Sequence, residues 1–174
     1  MKPFLLAFAA VTALLILLLL LLARPAEEKT APAFPAPAFS WQDFAGKTHN
    51  RADHAGRVIV LHFWASWCAP CRPEFPPLLE AAAALPEITF IALSSDRDRA
   101  AAEKFLAELK AAPTANFLPG WDEKRHVTYD LFMTAAYPET VILDRRHHLR
   151  RKIAGPADWQ SAELRAYLRA LAAE

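Results

Sequence analysis

The sequence predicts an α/β domain, a sheet flanked by helices, set behind one membrane-spanning helix. Three observations carry this. Residues Phe4 to Ala23 form an apolar run broken only by Thr12. Short apolar runs of strand length then alternate with stretches of helical periodicity. A Cys-Ala-Pro-Cys motif, Cys68 to Cys71, falls where the first of those runs gives way to a helix.

The first segment is about 30 Å long as a helix, the thickness of a bilayer's hydrocarbon core. Lys2 precedes it, and Arg24, Glu27, Glu28 and Lys29 follow it, a slight bias toward a cytoplasmic N-terminus. A cleaved signal peptide is the rival reading. The run is long for one, and Arg24-Pro25-Ala26 is a poor cleavage site. The expected organisation is an anchor over 1–23, a Pro/Ala-rich tether over 24–37 and a folded domain over 38–174. Either reading places that domain outside the cytoplasm.

Within the domain, Val58 to Trp64 (VIVLHFW) and Ile88 to Leu93 (ITFIAL) read as strands buried on both faces. Between them Ala69 to Leu85 has helical texture, with Pro73, Pro76 and Pro77 expected to bend its first half. Arg99 to Lys110 is amphipathic, with Ala101, Phe105 and Leu109 on one stripe. Thr140 to Leu143 and Leu149 to Ile153 read as a hairpin across Asp144–His148. A last helix, capped by Asp158 or Ser161, buries Leu164, Tyr167, Leu168 and Leu171.

Composition removes several classes of function. Lys2 is the only charged residue before Arg24, so 19 of the 20 Lys and Arg balance the 19 Asp and Glu of the remainder. A neutral soluble part argues against nucleic acid as partner. Two cysteines cannot staple a disulfide-dense scaffold, and four glycines do not make a phosphate-cradling fold. Residues Asp144 to Lys152 carry a basic run, read first as a solvated face and second as a contact for anionic headgroups or an acidic partner.

The cysteine pair is the candidate centre. A helix start offers unpaired N–H groups and the positive end of the dipole, both favouring a thiolate. Cys68 is therefore the expected nucleophile, and Cys71, one turn on, the resolving thiol. Pro70 suits an early helical position, where its missing N–H costs nothing. Arg72 stands where a c-type haem site needs His. A zinc or copper site needs more ligands, and His49, His54, His62, His126, His147 and His148 show no ligand spacing. A purely structural disulfide across so short a loop would add little stability.

The stretch Phe63-Trp64-Ala65-Ser66-Trp67-Cys68-Ala69-Pro70-Cys71-Arg72-Pro73-Glu74-Phe75-Pro76 resembles the active site of the thioredoxin superfamily. More narrowly it resembles the membrane-anchored thioredoxin-like thiol–disulfide oxidoreductases of the TlpA/ResA/CcmG (DsbE) kind. Tyr137 to Asp144 (YPETVILD) is similar to that family's cis-proline segment, Gly56-Arg57 to its lead-in, and Gly155 to Trp159 to its closing G…W stretch. The resemblance covers Phe39 to Leu171. It implies a thioredoxin-like fold with a central mixed sheet flanked by helices, no cofactor and no metal. It also implies that Pro138 is cis and helps bind substrate backbone, with Trp67, Ala69, Pro70 and Tyr137 surrounding the cysteines. Glu74 matches an acidic residue that influences thiol titration, against the plainer reading of an exposed helical Glu.

His62 departs from the pattern, which has Asp or Asn six residues before the first cysteine. Two readings stay open: a hydrogen-bonded core histidine, or a near-neutral base that accepts the Cys71 proton. Pro70 before the second cysteine resembles the reducing members of the superfamily. The family therefore implies a single-pass protein of the inner membrane that reduces protein disulfides in the periplasm. An apocytochrome c is a candidate substrate, and a transmembrane carrier of the DsbD/CcdA type the electron donor. A disulfide oxidant or exchanger, and a copper-binding chaperone of the same fold, are the alternatives. A peroxidase is disfavoured, because peroxiredoxins use a lone cysteine.

Overall fold

The computed structural model describes residues 34–174, so the expected anchor and most of the tether lie outside the described residues. Among the described residues no helix is long and apolar enough to cross a membrane. Strand β4 (Ile59–Trp64) is buried along its whole length, as its apolar run predicts, and is the axis of the sheet. It runs parallel to β5 (Thr89–Ser94) and antiparallel to β7 (Glu139–Leu143). β5 continues in parallel to β6 (Phe117–Trp121), and β7 forms the predicted hairpin with β8 (His148–Ala154). Three short strands finish the edges: β1 (Phe34–Pro35) on β8, and β2 (Ser40–Asp43) with β3 (Thr48–Asn50) beyond β6. The order is β1-β8-β7-β4-β5-β6-β2-β3, a mixed sheet.

Strand alternation divides the core in two. Val60 and Trp64 of β4, with Phe90 and Ala92 of β5, face helices α1 (Cys71–Ala84), α2 (Arg99–Glu108) and α3 (Ala162–Ala173). Trp64 packs between Phe75 of α1 and Phe105 of α2, at ring separations of 4.9 and 4.6 Å. On the other face Ile59, Leu61 and Phe63 pack with Ile91, Leu93, Val141 and Leu143, covered by Phe39, Trp41, Val127 and Phe132. Val127 belongs to a wide, π-type helical turn, His126–Leu131, and Phe132 follows it.

The differences from the expected elements have local causes. α1 starts at Cys71 rather than Ala69 and runs on through Pro76 and Pro77. Ser161, not Asp158, caps α3, its side chain accepting from the Leu164 N–H. Phe34 and Pro35, read as tether, add a strand to the sheet edge instead. The β7–β8 turn contains no glycine, and His147 takes the left-handed conformation there at φ 60°. Asp144 holds that turn, accepting from the Arg146 and His148 N–H groups. The second half of the basic run is paired within the chain: Arg150 with Asp144 and Glu174, Arg151 with Glu163, Lys152 with Glu139.

Gly120 of β6 lies so close to β2 that an added Cβ would meet Cδ1 of Trp41, and would sit 2.9 Å from the Gln42 carbonyl oxygen. Overpacking against backbone cannot be relieved by a rotamer change. We expect Gly120→Ala to cost about 1–3 kcal/mol in urea unfolding; unchanged stability would show that β2 shifts freely on the sheet edge.

Candidate active site

Three elements converge on the cysteine pair. β4 ends at Trp64, a tight turn follows, and α1 begins at Cys71. Cys68 and Cys71 form a disulfide with Cα atoms 5.3 Å apart. The turn is closed by backbone bonds from Cys68 N to Ala65 O and from Cys71 N to Cys68 O, each 3.1 Å. The Cys71 N–H also lies 3.2 Å from the Cys68 sulfur. This donor of the helix start is shared between the Cys68 carbonyl and the sulfur that would carry charge after reduction, an arrangement that favours a thiolate there. Both cysteines are buried, whereas Ala69, Pro70 and Trp67 are exposed, Trp67 by 69%.

The turn is held from beside. Asp96, just past the end of β5, is buried and accepts from the Ser66 N–H at 2.8 Å and the Ser66 hydroxyl at 2.7 Å. Ser94 donates to the same carboxylate, and Trp121 donates through its indole to the Asp96 carbonyl. This carboxylate was not legible in the sequence, where Ser94 to Asp98 reads as polar loop. Across the turn Tyr137 meets Trp67 edge to face at 5.6 Å, and the Tyr137–Pro138 bond is cis, as the resemblance implies.

Two titratable groups are buried against Trp159: Glu74, one turn along α1 from Cys71, and His62 of β4. Glu74 is not the exposed helical residue of the plainer reading; only 4% of it is accessible. Its Oε1 accepts from the Ala157 N–H at 2.9 Å and the Trp159 indole at 2.8 Å, while Oε2 has no partner. Burial raises its pKa above the ordinary carboxylate value, against the lowering effect of those two bonds. His62 is buried on β4, its Nδ1 3.0 Å from Thr140 Oγ1 and its Nε2 unpartnered. Phe75 and Trp159 meet its ring edge to face at 5.8 and 6.3 Å. Burial pushes its pKa down to about 3, so it is neutral across the working range. Trp159, noticed in the sequence only as part of a closing motif, touches both groups. Among the described residues no cluster of three or more metal-ligating side chains forms.

A mixed sheet with a cysteine pair at the start of its first helix and a cis-proline opposite defines a thioredoxin-fold dithiol–disulfide protein. The model of the AhpC/TSA family matches residues 32–152. Thiol:disulfide interchange protein DsbE of Pseudomonas fluorescens is 33% identical over 144 residues, covering 80% of this chain and 77% of that protein. Thiol–disulfide oxidoreductase ResA of Geobacillus kaustophilus is 25% identical over 132 residues, 74% of this chain and 73% of that one. The crystal structure of a DsbE protein from Chlorobium tepidum superposes with a TM-score of 0.70 at 27% identity, covering 80% of this chain and 96% of that chain. The chain belongs to the AhpC/TSA family, among the thioredoxin-like thiol–disulfide oxidoreductases of the ResA and DsbE type.

The buried histidine gives a pH test of the site's packing. Its unfolded value is 6.5 and its folded value about 3. Below pH 6.5 the unfolded chain takes up a proton that the folded chain refuses, so this contribution is full above 6.5 and is lost as pH falls toward 3. Glu74, raised on folding, acts in the opposite sense: its contribution is present at low pH and lost as pH rises through the folded value. His62→Asn should flatten the acid loss of stability in urea titrations between pH 6.5 and 4 relative to the unaltered chain. Parallel curves would mean that His62 is reached by water in the folded state.

Proposed function

We propose that this thiol–disulfide oxidoreductase works as a reductant outside the cytoplasm, held to the inner membrane by residues 4–23. The observation that carries the exchange chemistry is the Cys71 N–H placed 3.2 Å from the Cys68 sulfur at the start of α1, which makes Cys68 the attacking thiolate; the direction of transfer rests on separate grounds. Cys68, as thiolate, attacks one sulfur of a substrate disulfide; a mixed disulfide forms and the other substrate sulfur leaves. Cys71 then gives up its proton and attacks the Cys68 sulfur, and the second substrate thiolate departs. Two electrons pass from the protein dithiol to the substrate, and the protein is left with the Cys68–Cys71 disulfide.

Glu74, one helical turn from Cys71, is the group that receives that proton, since burial raises its pKa and its Oε2 has no partner. His62 serves as a neutral core group bonded to Thr140, because a value of about 3 makes it too weak a base for a thiol. Pro138 and Tyr137 offer the substrate its backbone and ring contacts, with Trp67, Ala69 and Pro70 forming the exposed rim.

The direction of transfer is supported by Pro70 before the second cysteine and by similarity to DsbE and ResA. Those relatives make apocytochrome c, whose haem-binding cysteines must be kept as thiols, a fitting substrate. A transmembrane carrier of the DsbD/CcdA type is the fitting donor.

The substrate reading is tested with the reduced full-length chain and an oxidised Cys-x-x-Cys-His peptide. The peptide should gain two thiols while Cys68 and Cys71 become oxidised, and Cys71→Ser should accumulate the mixed disulfide through Cys68. A peptide that stays oxidised beside a reduced protein would overturn it. In the same assay Glu74→Gln should slow resolution of the mixed disulfide more than its formation; equal effects on both steps would remove Glu74 from proton transfer.

A further inference from the structure

A surface cavity of about 490 Å³ opens beside the disulfide, lined by Ser66, Trp67, Ser95, Asp96, Arg97, Asp98, Ala101 and Arg125. Its acids are occupied. Asp96 takes its hydrogen bonds from Ser66 and Ser94, and Asp98 caps α2 by accepting from the Ala100 N–H. Its bases are not. Among the described residues neither Arg97 nor Arg125 is paired with a carboxylate, although most other arginines near the site are: Arg72 with Glu108 and Arg99 with Glu103. Arg125 lies 5.7 Å from the Tyr129 ring, and its left-handed backbone, at φ 55°, sets it at the mouth of the π-type turn.

That turn is fixed to the same frame as the cysteine loop. Asp122 accepts from the Thr128 N–H and hydroxyl at 2.7 Å, and the Ser95 hydroxyl donates to Thr128. Ser95 is followed directly by Asp96, which holds Ser66. The two guanidinium groups are therefore carried by segments tied to the active-site turn. The third exposed wall is Trp67, which immediately precedes Cys68.

We propose that this cavity is a specificity subsite for a carboxylate side chain flanking the target cysteine of a protein substrate. The guanidinium fork matches a carboxylate, and the exposed indole covers the apolar stem of a Glu or Asp. The proposal rests on the oxidoreductase reading and names which polypeptides that site selects.

The test uses the full-length reduced chain and oxidised Cys-x-x-Cys peptides, acetylated and amidated so that the varied residue holds the only carboxylate. Glu, Gln or Lys is placed one to three residues to either side of the cysteines, and the rate of peptide reduction is followed. Electrons come only from the Cys68/Cys71 dithiol. At low salt the best Glu peptide should react about five-fold faster than its Gln counterpart, and Lys slower still. The ratio should fall toward one in about 1 M salt, where the screening length is about 3 Å. It should vanish in Arg97→Gln/Arg125→Gln, shrink without vanishing in Arg97→Lys/Arg125→Lys, which keep the charge but lose the fork, and reverse toward Lys in Arg97→Glu/Arg125→Glu.

A Glu/Gln ratio near one in the unaltered chain, with both peptides reduced, overturns the subsite alone. So does a preference that persists after both arginines are removed. Failure to reduce any peptide overturns the underlying reductase reading along with it.

Discussion

The active site depends on one constraint: a reactive sulfur must be presented by a turn whose two flanking elements are immobile. β4 is buried on both faces and hydrogen-bonded on both edges, so its end cannot move. α1 is pinned by Phe75, Leu78 and Ala82 against that same sheet. Between them the chain has only residues 65–70 with which to turn. The Asp96 carboxylate fixes the middle of that turn through Ser66. With the turn held, the first N–H of α1 already lies against both the Cys68 carbonyl and its sulfur. A thiolate there is met by a donor already in place, and pre-oriented donors are worth more than ones that must reorganise.

The same rigidity decides what lies underneath. Helix α1 carries Glu74 inward, and the chain returns some eighty residues later to give it Ala157 and Trp159. The carboxylate has two good donors on one oxygen and none on the other, which leaves room for a proton on the second. His62 is supported on one nitrogen only. With no carboxylate beside it to stabilise an imidazolium, burial dominates and the ring stays neutral. Two titratable groups thus meet at Trp159 with opposite shifts: burial raises the acid's pKa and lowers the base's.

Much of the fold was legible because its centre follows simple rules. β4 and β5 are nearly continuous apolar runs, and α2 and α3 keep an apolar stripe, although α2 buries Ala102, Phe105 and Leu106 rather than the expected Ala101 and Leu109. β6 escaped because Pro119 and Gly120 interrupt Phe117 to Trp121; it is a strand by virtue of β5 and β2 on either side. The edge strands β1, β2 and β3 are too short and polar for periodicity to mark them. At the site, Cys68, Cys71 and the cis-proline were visible through local motifs. Asp96, Thr140 and the Glu74–Trp159 bond were not, because each is a contact between residues far apart in the chain. Glu74 was marked only by the family resemblance, and its burial needed the last segment to be placed over it.

The most direct measurement is the reduction potential of the Cys68–Cys71 pair in the full-length chain. It is read by equilibration in dithiothreitol or glutathione buffers, followed by thiol alkylation. A reductant should give a value at or below about −220 mV, in the range of the glutaredoxins and thioredoxin. A value near −120 mV would make the pair an oxidant and contradict the assignment.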